Sequence, residues 1–359
     1  MEPRLIIKTH SEVSKPGLFS ILISKCSYAD KSSYPEVVSK RLYELYGENG
    51  QPFNKLAAKF VVIMAQRFGF LRKNMIWDWR GHVIHGALQY LNKAENENIN
   101  LFLELTKLEK IIYLKYYLET DGAVILQLAK RIKEYNEINR DGLSKSIHLL
   151  FREIYEGYIA MSSNFQKRIE LKERLKKIPQ KGYDQKTVQH KVRPHIYPLI
   201  YLGILSNPEI KNGNEIYKAA GYNKLSTIEL LLQELNDFQI MEKRFDDYEY
   251  FSIISKVLNL KSINFSVELH SNILRKTIIK GYSLLKENVT RMAYIDALVD
   301  WCCAKMLSED NILISNQSIC NFIEQIWRER PQSVRYHVDY RGRKSYVILS
   351  EKFGEYRVL

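Results

Sequence analysis

Polar side chains that suit contact with DNA recur at helical intervals near the middle of the sequence. The stripe lies along one predicted helix and consists of Lys186, Gln189, His190, Arg193 and Tyr197. Amide and guanidinium groups can bond base edges in a groove, and cationic groups can neutralise phosphates. The stripe therefore predicts a helix that enters a DNA groove, with its first four members as contacts. A buried helix with a solvated polar face is the alternative.

Three further cations lie near the C terminus, where they would form the tip of a β-hairpin. Apolar and polar residues alternate over 334–340, which is the periodicity of a strand, and 346–349 would form the returning strand. A basic tip can contact phosphates or enter a minor groove. An ordinary surface hairpin is the alternative, as is a short helix in place of the first strand. The three cations are Arg341, Arg343 and Lys344.

An apolar stripe on the central predicted helix would hold that helix against a core. Its members follow one another at steps of four, four and three, the spacing of a buried helix face. Gly203 would end the helix as a left-handed cap, and Asn212-Gly213 would form a hairpin turn beyond it. The stripe consists of Val188, Val192, Ile196 and Leu199.

Two prolines lie inside this predicted helix. Pro194 and Pro198 each cost about 3 kcal/mol at an interior helical position, because proline lacks an N–H and its ring clashes with the preceding turn. We therefore expect the helix to break at Arg193 and to restart with Pro194 at its first position. A kink would remain at Pro198.

A shorter copy of the same pattern lies in the first part of the chain. The run RFGFL at 67–71 parallels the run YLGIL at 201–205. A helix from Pro52 to Arg67 would precede Gly69, and it carries Lys55 and Lys59 as candidate DNA contacts. A strand over 75–79 and a turn at 80–81 would follow. A chance similarity between two short runs is the alternative.

Motifs for nucleotide chemistry or catalysis are absent from the sequence. It contains neither a G-x-x-x-x-G-K-[ST] loop nor a G-x-G-x-x-G run. His82 and His85 lie three residues apart, but no neighbouring cysteine or third histidine completes a zinc site. A metal-dependent nuclease usually needs an acid-x-Lys on a strand, whereas Glu249 has Phe251 at that spacing. The sequence predicts no catalytic residue, no metal and no cofactor.

The charge of the chain favours a polyanionic partner. Its 359 residues include 54 Lys and Arg against 41 Asp and Glu, a formal charge of +13. Such a balance favours nucleic acid first and an anionic membrane surface second. Four unpaired-looking cysteines and the lack of a long apolar run predict a reduced, cytoplasmic protein without a membrane span.

An acidic region follows the basic centre. A helix over 225–235, a stop at Asn236 and a hairpin over 244–251 would repeat the helix–stop–hairpin pattern with an acidic tip. Phosphate would repel such a tip, so residues 225–310 are expected to contact a protein partner instead. An Asn- and Glu-rich run at 92–100 predicts a domain boundary. Beyond it, a helix over 101–118 would be interrupted at Asp121-Gly122 before a second helix.

The repeated pattern of a helix, a stop residue and a following apolar pair or hairpin makes the chain resemble tandem winged helix-turn-helix DNA-binding proteins. The resemblance rests on the stops at Gly69, Gly203 and Asn236 and on the basic hairpin. It implies a mainly α fold with small β-hairpins, as tandem winged-helix domains joined by helical segments. We expect domains at 1–95, 96–262 and 263–359, with a basic helical insertion at about 139–182.

The implied function is non-enzymatic binding of double-stranded DNA through recognition helices and basic wings. A regulator, a plasmid or viral replication initiator and the recognition subunit of a defence system all fit this function. An assembly or adaptor protein whose winged helices mainly contact proteins is the alternative, and an RNA binder comes third.

Overall fold

The computed structural model describes residues 15–47, 53–135, 137–222, 225–234, 247–338 and 343–355. Within these ranges the chain is mainly helical, and its strands form small sheets of two or three members. The predicted class, mainly α with small β-hairpins, is confirmed. Among the described residues, every helix is too short or too polar to cross a membrane.

Short helices form the N-terminal part. They are α1 (Gly17–Ile21), α2 (Pro35–Leu42), α3 (Lys55–Phe68), α4 (Trp79–Tyr90) and α5 (Asn100–Leu103), with π-helical turns over Leu22–Cys26 and Tyr43–Gly47. The helix predicted from position 52 begins at Lys55, because the Asn54 side chain caps it by accepting the Ala57 N–H at 2.8 Å. It ends as predicted at Gly69, whose φ is 75°.

The strand predicted over 75–79 is wrong, and so is the turn predicted at Arg80-Gly81. Leu71 and Trp77 share a single β-bridge. The Asp78 side chain then accepts the Trp79 N–H at 3.0 Å, so α4 begins there and contains both residues of the predicted turn. A Cβ at Gly81 would lie 2.4 Å from the Phe70 carbonyl oxygen, so glycine permits this close packing.

A long helix, α6 (Lys107–Tyr135), runs through the middle of the molecule. The interruption predicted at Asp121-Gly122 is confirmed, because two helical segments of α6 meet there at a kink. Only Asp121 departs from helical geometry, with φ −132° and ψ 19°. Its carboxylate is engaged by His195 at 2.8 Å, so a tertiary contact accompanies the local distortion.

The central unit is the segment from α6 to residue 217. After α6 come β1 (Ile138–Asn139), α7 (Arg140–Met161), α8 (Phe165–Lys176), α9 (Gln185–Tyr201), β2 (Glu209–Lys211) and β3 (Asn214–Tyr217). The three strands form an antiparallel sheet in the order β1–β3–β2. Asn212 and Gly213 have φ values of 52° and 76°, so the predicted hairpin turn is confirmed.

Helix α9 is continuous through both prolines, so the predicted break at Arg193 is wrong. Val192, Ile196 and Leu199 are buried at helical spacing, and we attribute the uninterrupted helix to this packing, which outweighs the cost of the prolines. Gly203 ends the helical segment with a φ of 81°, as predicted. The Ile204 N–H then donates to the Leu199 carbonyl at 2.8 Å, just as the Phe70 N–H donates to Ala65 beyond α3.

The hairpin predicted over 244–251 is wrong, because residues 247–251 belong to a helix. After β4 (Gly221–Tyr222) and β5 (Leu225–Ser226) the elements are α10 (Thr227–Glu234) and α11 (Asp247–Val257). Phe251, Ile254 and Val257 are buried at helical spacing, which explains the helix. The predicted stop at Asn236 lies outside the described residues.

The C-terminal unit, residues 267–349, has the element order of the central unit except that a short strand stands where the central unit has α8. It consists of α12 (Val267–Leu285), β7 (Ala293–Tyr294), α13 (Ile295–Lys305), β8 (Ile312–Leu313), α14 (Asn316–Glu329), β9 (Val334–Val338) and β10 (Lys344–Leu349). Its antiparallel sheet has the order β7–β10–β9, and β8 pairs in parallel with the preceding β6 (Ile263–Asn264). The hairpin predicted over 334–349 is confirmed.

Buried polar contacts join α6 to α9 within the central unit and to α13 of the C-terminal unit. Asp121 contacts His195 of α9, and the two side chains are 2% and 1% exposed. The Lys115 ammonium donates to both oxygens of Asp300 in α13, at 2.6 and 2.7 Å. Helix α6 therefore serves as a common support for the two units.

Candidate nucleic-acid interface

The predicted contacts on α9 begin at its N-terminal end. The Asp184 side chain caps the helix by accepting the Thr187 N–H at 2.8 Å. Lys186 and Gln189 lie in the first two turns, followed by half-buried His190 and Arg193. Asp184 thus fixes where the helix, and with it the polar stripe, begins.

Arg193 joins α9 to the hairpin that follows it. Its guanidinium lies 3.6 Å from Glu215 of β3. Glu215 also accepts hydrogen bonds from the hydroxyls of Tyr197 at 2.8 Å and Tyr217 at 2.7 Å. Burial opposes ionisation of Glu215, but these hydrogen bonds and the charges of Arg193 and Arg140 lower its pKa overall. Arg193 therefore has a structural role that the sequence did not reveal.

A basic cavity of about 560 Å³ opens between α7 and α9. Four of its described lining residues are cations, and Asp141 is an acidic residue in the same lining. The four cations are here called the cationic cleft. The Asn139 side chain caps α7 beside the cavity by accepting the Gly142 N–H at 2.6 Å, which leaves the positive end of α7 facing this region. The cationic cleft consists of Arg140, Lys145, Lys181 and Arg193.

Sequence reasoning missed most of the cationic cleft. Arg140 and Lys145 lie one helical turn apart at the start of α7, directly after the capping Asn139. The capping Asn139 was the feature of the sequence that could have pointed to the start of α7. It did not indicate that residues 140–145 would lie beside α9. Lys181 was counted in the basic run of the insertion without being singled out.

The C-terminal hairpin is tied to α14 through Lys344. Its ammonium lies 4.4 Å from the ring centroid of Tyr336 and 5.0 Å from that of Trp327. It also lies 3.7 Å from Glu324 of α14. Arg343 is exposed at the end of the hairpin, and Arg341 lies outside the described residues. Lys344, like Arg193, thus connects a helix with the hairpin after it.

The outward face of α14 carries amides in place of cations. Gln317, Asn321 and Gln325 are exposed at successive intervals of four residues, with Arg328 on the same side. The opposite side packs into the core through Ile319, Phe322, Ile323 and Ile326. These amides were missed because the sequence search weighted positive charge.

The DNA contacts predicted in the N-terminal part lie on a different helix from the predicted contacts of the central and C-terminal units. Lys55 and Lys59 are exposed on α3, and the Lys55 ammonium lies 5.6 Å from the ring centroid of Tyr43. Glu36 and Glu44 line the same surface cavity as Lys55. Their carboxylates offset the local positive charge, so this surface attracts phosphate less than the cationic cleft does.

Buried titratable side chains of the described chain have structural surroundings. Asp121 and His195 are enclosed, and the edge of the Phe151 ring packs on His195. Burial lowers the pKa of His82 and His85 to about 4 each. Among the described residues, no group of three or more His, Cys, Asp or Glu side chains is placed to hold a metal ion.

Comparison with known proteins adds no assignment. No protein-family model, curated protein or solved structure matches this chain.

Proposed function

We propose that the protein binds double-stranded DNA through its central and C-terminal units, each acting as a winged helix. In both, a helix and a strand are followed by two helices that precede a final hairpin, and the first strand pairs with the last; between those two helices lies α8 in the central unit and β8 in the C-terminal unit. In a winged helix the element before the hairpin enters the major groove, and the hairpin lies on the backbone or in the minor groove. Helices α9 and α14 hold that position in this chain.

The cationic cleft is the observation that carries the proposal. It places four cations beside α9, next to the groove-facing surface of a winged helix, and one of its described lining residues is acidic. Lys145 and Lys181 are exposed, so a phosphate can reach them without rearrangement of the core. Each phosphate neutralised in this way releases counterions and adds to affinity.

A regulator, a replication initiator of a plasmid or virus and the recognition subunit of a defence system all suit two winged helices on one support. The N-terminal residues Lys55 and Lys59 and the hairpin residues Arg343 and Lys344 remain candidate backbone contacts. The function requires no chemistry from the protein, only contact with the duplex.

A protein-binding adaptor is the second candidate, and exposed apolar side chains favour it. Ile263, Val267 and Leu269 are 57%, 45% and 77% exposed. They lie within the acidic region 225–310, which phosphate does not favour. A partner contact there is compatible with DNA binding elsewhere on the chain.

The test is fluorescence anisotropy with labelled duplex DNA, single-stranded DNA and duplex RNA over a series of salt concentrations. Wild type is compared with the Arg140→Ala, Lys145→Ala double variant. The matched control removes two exposed cations elsewhere, Lys261→Ala and Lys276→Ala. The proposal predicts preferential duplex DNA binding, and a salt slope that falls by about 2 in the cleft variant because each contact contributes about 0.9.

The control variant is expected to keep the wild-type slope. Absence of duplex binding by the wild type at low salt would overturn the proposal. Equal losses in the cleft and control variants would show that binding depends on net charge and not on this site.

A further inference from the structure

The outward surface of α14 presents three amide side chains in a row. Gln317, Asn321 and Gln325, here called the amide face, are exposed and four residues apart. Residues four apart on an α-helix are rotated by about 40° and separated by about 6 Å along the axis. The amide face therefore spans about 12 Å along one side of the helix.

The amides make hydrogen bonds along the helix surface. The Gln317 Nε2 group donates to Asn321 Oδ1 at 2.6 Å. The Gln325 Nε2 group donates to Glu329 Oε1 at 3.0 Å. Both bonds lie at the exposed surface, where a ligand can exchange for them at small cost because water competes for the same groups.

Of the two acids beside the amide face, Glu324 is neutralised within the unit, whereas Glu329 accepts the hydrogen bond from Gln325. Glu324 accepts a hydrogen bond from Arg328 at 3.0 Å and lies 3.7 Å from the Lys344 ammonium. The hydrogen bond from Arg328, followed by the charge of Lys344, lowers the pKa of Glu324. A phosphate backbone approaching α14 therefore meets a carboxylate that is paired with two cations.

The start of α14 is fixed to the core, so the amide face has a defined orientation. The Ser315 side chain caps the helix by accepting the Ser318 N–H at 3.0 Å. Asn316 donates to Asp300 at 3.5 Å and accepts from the Cys303 thiol at 3.1 Å. Asp300 is the partner of the buried Lys115, so this anchor extends to α6. Rigid placement of this kind is what specific contact requires.

Amide side chains have a particular partner among the bases. Asn and Gln bond adenine through its N7 acceptor and N6 donor in the major groove, whereas Arg and Lys favour guanine. Base pairs are stacked about 3.4 Å apart, so amides about 6 Å apart meet every second base pair when the helix follows the groove. The face thus matches a run of roughly four to five base pairs.

We infer that α14 recognises adenine bases in the major groove of duplex DNA through Gln317, Asn321 and Gln325. This inference rests on the proposed function and assigns sequence discrimination to the C-terminal unit. Duplex RNA is excluded as the target of this face, because its major groove is too deep and narrow for side chains to contact the bases.

The test is selection of bound duplexes from a randomised DNA pool, followed by sequencing and by anisotropy on the selected duplex and a scrambled duplex. The variants are Asn321→Ala, Gln317→Ala and Asn321→Asp, the last keeping the size of the side chain but removing the donor. The matched control is Asn272→Ala, an exposed asparagine on α12 that also accepts a hydrogen bond from a helical neighbour, Arg275 at 3.4 Å.

Wild type is expected to enrich adenine at two or more positions within one short window. Asn321→Ala and Asn321→Asp should reduce the preference for the selected over the scrambled duplex by about 5- to 150-fold. The Asn272→Ala control should keep the wild-type preference, and circular dichroism should give the same helix content for all variants.

Two results would overturn the inference while leaving DNA binding in place. One is tight duplex binding with no enriched sequence. The other is an enriched sequence whose preference is unchanged in both Asn321 variants and in Gln317→Ala. Absence of any duplex binding by the wild type would overturn this inference and the proposed function together.

Discussion

The central and C-terminal units both end in a helix and a hairpin whose last strand pairs with the first strand of the unit, yet the helices before their hairpins present different chemistry. In the central unit, α9 adjoins the cationic cleft of Arg140, Lys145, Lys181 and Arg193. In the C-terminal unit, α14 presents amides, and its acid is paired with cations. Under the proposed function, this difference assigns affinity for phosphate to the central unit and discrimination between bases to the C-terminal unit.

The units resemble each other in how the helix is tied to the hairpin. In the central unit, Glu215 of β3 holds Arg193 and Tyr197 of α9. In the C-terminal unit, Lys344 of β10 lies against Glu324 and Trp327 of α14. The roles are exchanged, because the hairpin supplies the acid in one unit and the cation in the other. Equivalent packing is thus reached with different residues.

The largest expected difference concerns the buried pairs on α6. Asp300→Ala leaves the Lys115 ammonium buried, with the Glu119 carboxylate 3.4 Å away, and should lower the free energy of unfolding by about 3 kcal/mol. Asp121→Ala should cost less, about 1–2 kcal/mol, because it removes a buried hydrogen bond to an imidazole and not the main counterion of a buried ammonium. Urea denaturation measures both.

The exposed Asp141→Ala is the stability control, with an expected change within about 0.5 kcal/mol. A larger loss of unfolding free energy for Asp121→Ala than for Asp300→Ala would contradict this account. The C-terminal unit would then not depend more strongly on the Lys115–Asp300 pair than the central unit does on the Asp121–His195 contact.

Acid should weaken the attachment of the C-terminal unit. The His82 ring packs 5.1 Å from that of Tyr294 in β7. Burial, then the charges of His85 and Arg72, lower the pKa of His82 to about 4, while Asp78 acts in the opposite direction. The unfolded chain therefore binds the proton first, so stability is full above about pH 6.5 and falls towards pH 4, by roughly 2 kcal/mol for this residue.

Urea midpoints measured between pH 7 and pH 4 test this dependence, with His82→Gln as the comparison. The variant should be less stable at pH 7 but should have a flatter profile. An identical pH profile in wild type and variant would show that His82 does not titrate in this range.

Glu215→Gln should separate stability from DNA affinity in the central unit. The change weakens the contacts with Arg193, Tyr197 and Tyr217, so unfolding should become easier by about 1 kcal/mol. It also removes a negative charge beside the cationic cleft, so duplex affinity at low salt should rise. Denaturation and anisotropy on the same preparation measure both quantities, and a fall in affinity would argue against phosphate contact at this cleft.

The smallest effect is expected for Lys344→Ala. The side chain is 40% exposed and interacts with Trp327, Tyr336 and Glu324. Loss of an exposed cation–π contact and a weak ion pair should cost about 0.5–1 kcal/mol. Thermal unfolding would show it, and Arg335→Ala on the exposed side of β9 is the control. A loss of unfolding free energy above about 2 kcal/mol would mean that the contacts of Lys344 are a main support of the hairpin.

Local signals in the sequence predicted the parts of the fold that are decided locally. The glycines at 69 and 203 end their helices, and Asn212-Gly213 forms its hairpin turn, because each needs a backbone geometry that few residues tolerate. Alternation over 334–338 correctly gave a strand. These features depend on a few neighbouring residues.

Features that depend on packing between distant segments were mispredicted or missed. Burial keeps α9 intact through Pro194 and Pro198, and it makes a helix of residues 247–257, where a hairpin was expected. In the cationic cleft, Arg140 and Lys145 from the start of the insertion lie near Lys181 from its end. The spacing of these residues along the chain does not predict that they are close together. The helical spacing of the amide face is present in the sequence. It was not predicted as a contact because its three residues carry no positive charge.

The most direct test of the account compares the two units in one binding experiment. Duplex affinity is measured against salt for a selected and a scrambled sequence, with the Arg140→Ala, Lys145→Ala variant and the Gln317→Ala, Asn321→Ala variant. The first should lower the salt slope by about 2 and keep the sequence preference. The second should lose the preference and keep the slope. If both variants change the same quantity, or neither changes either one, the division of roles is contradicted.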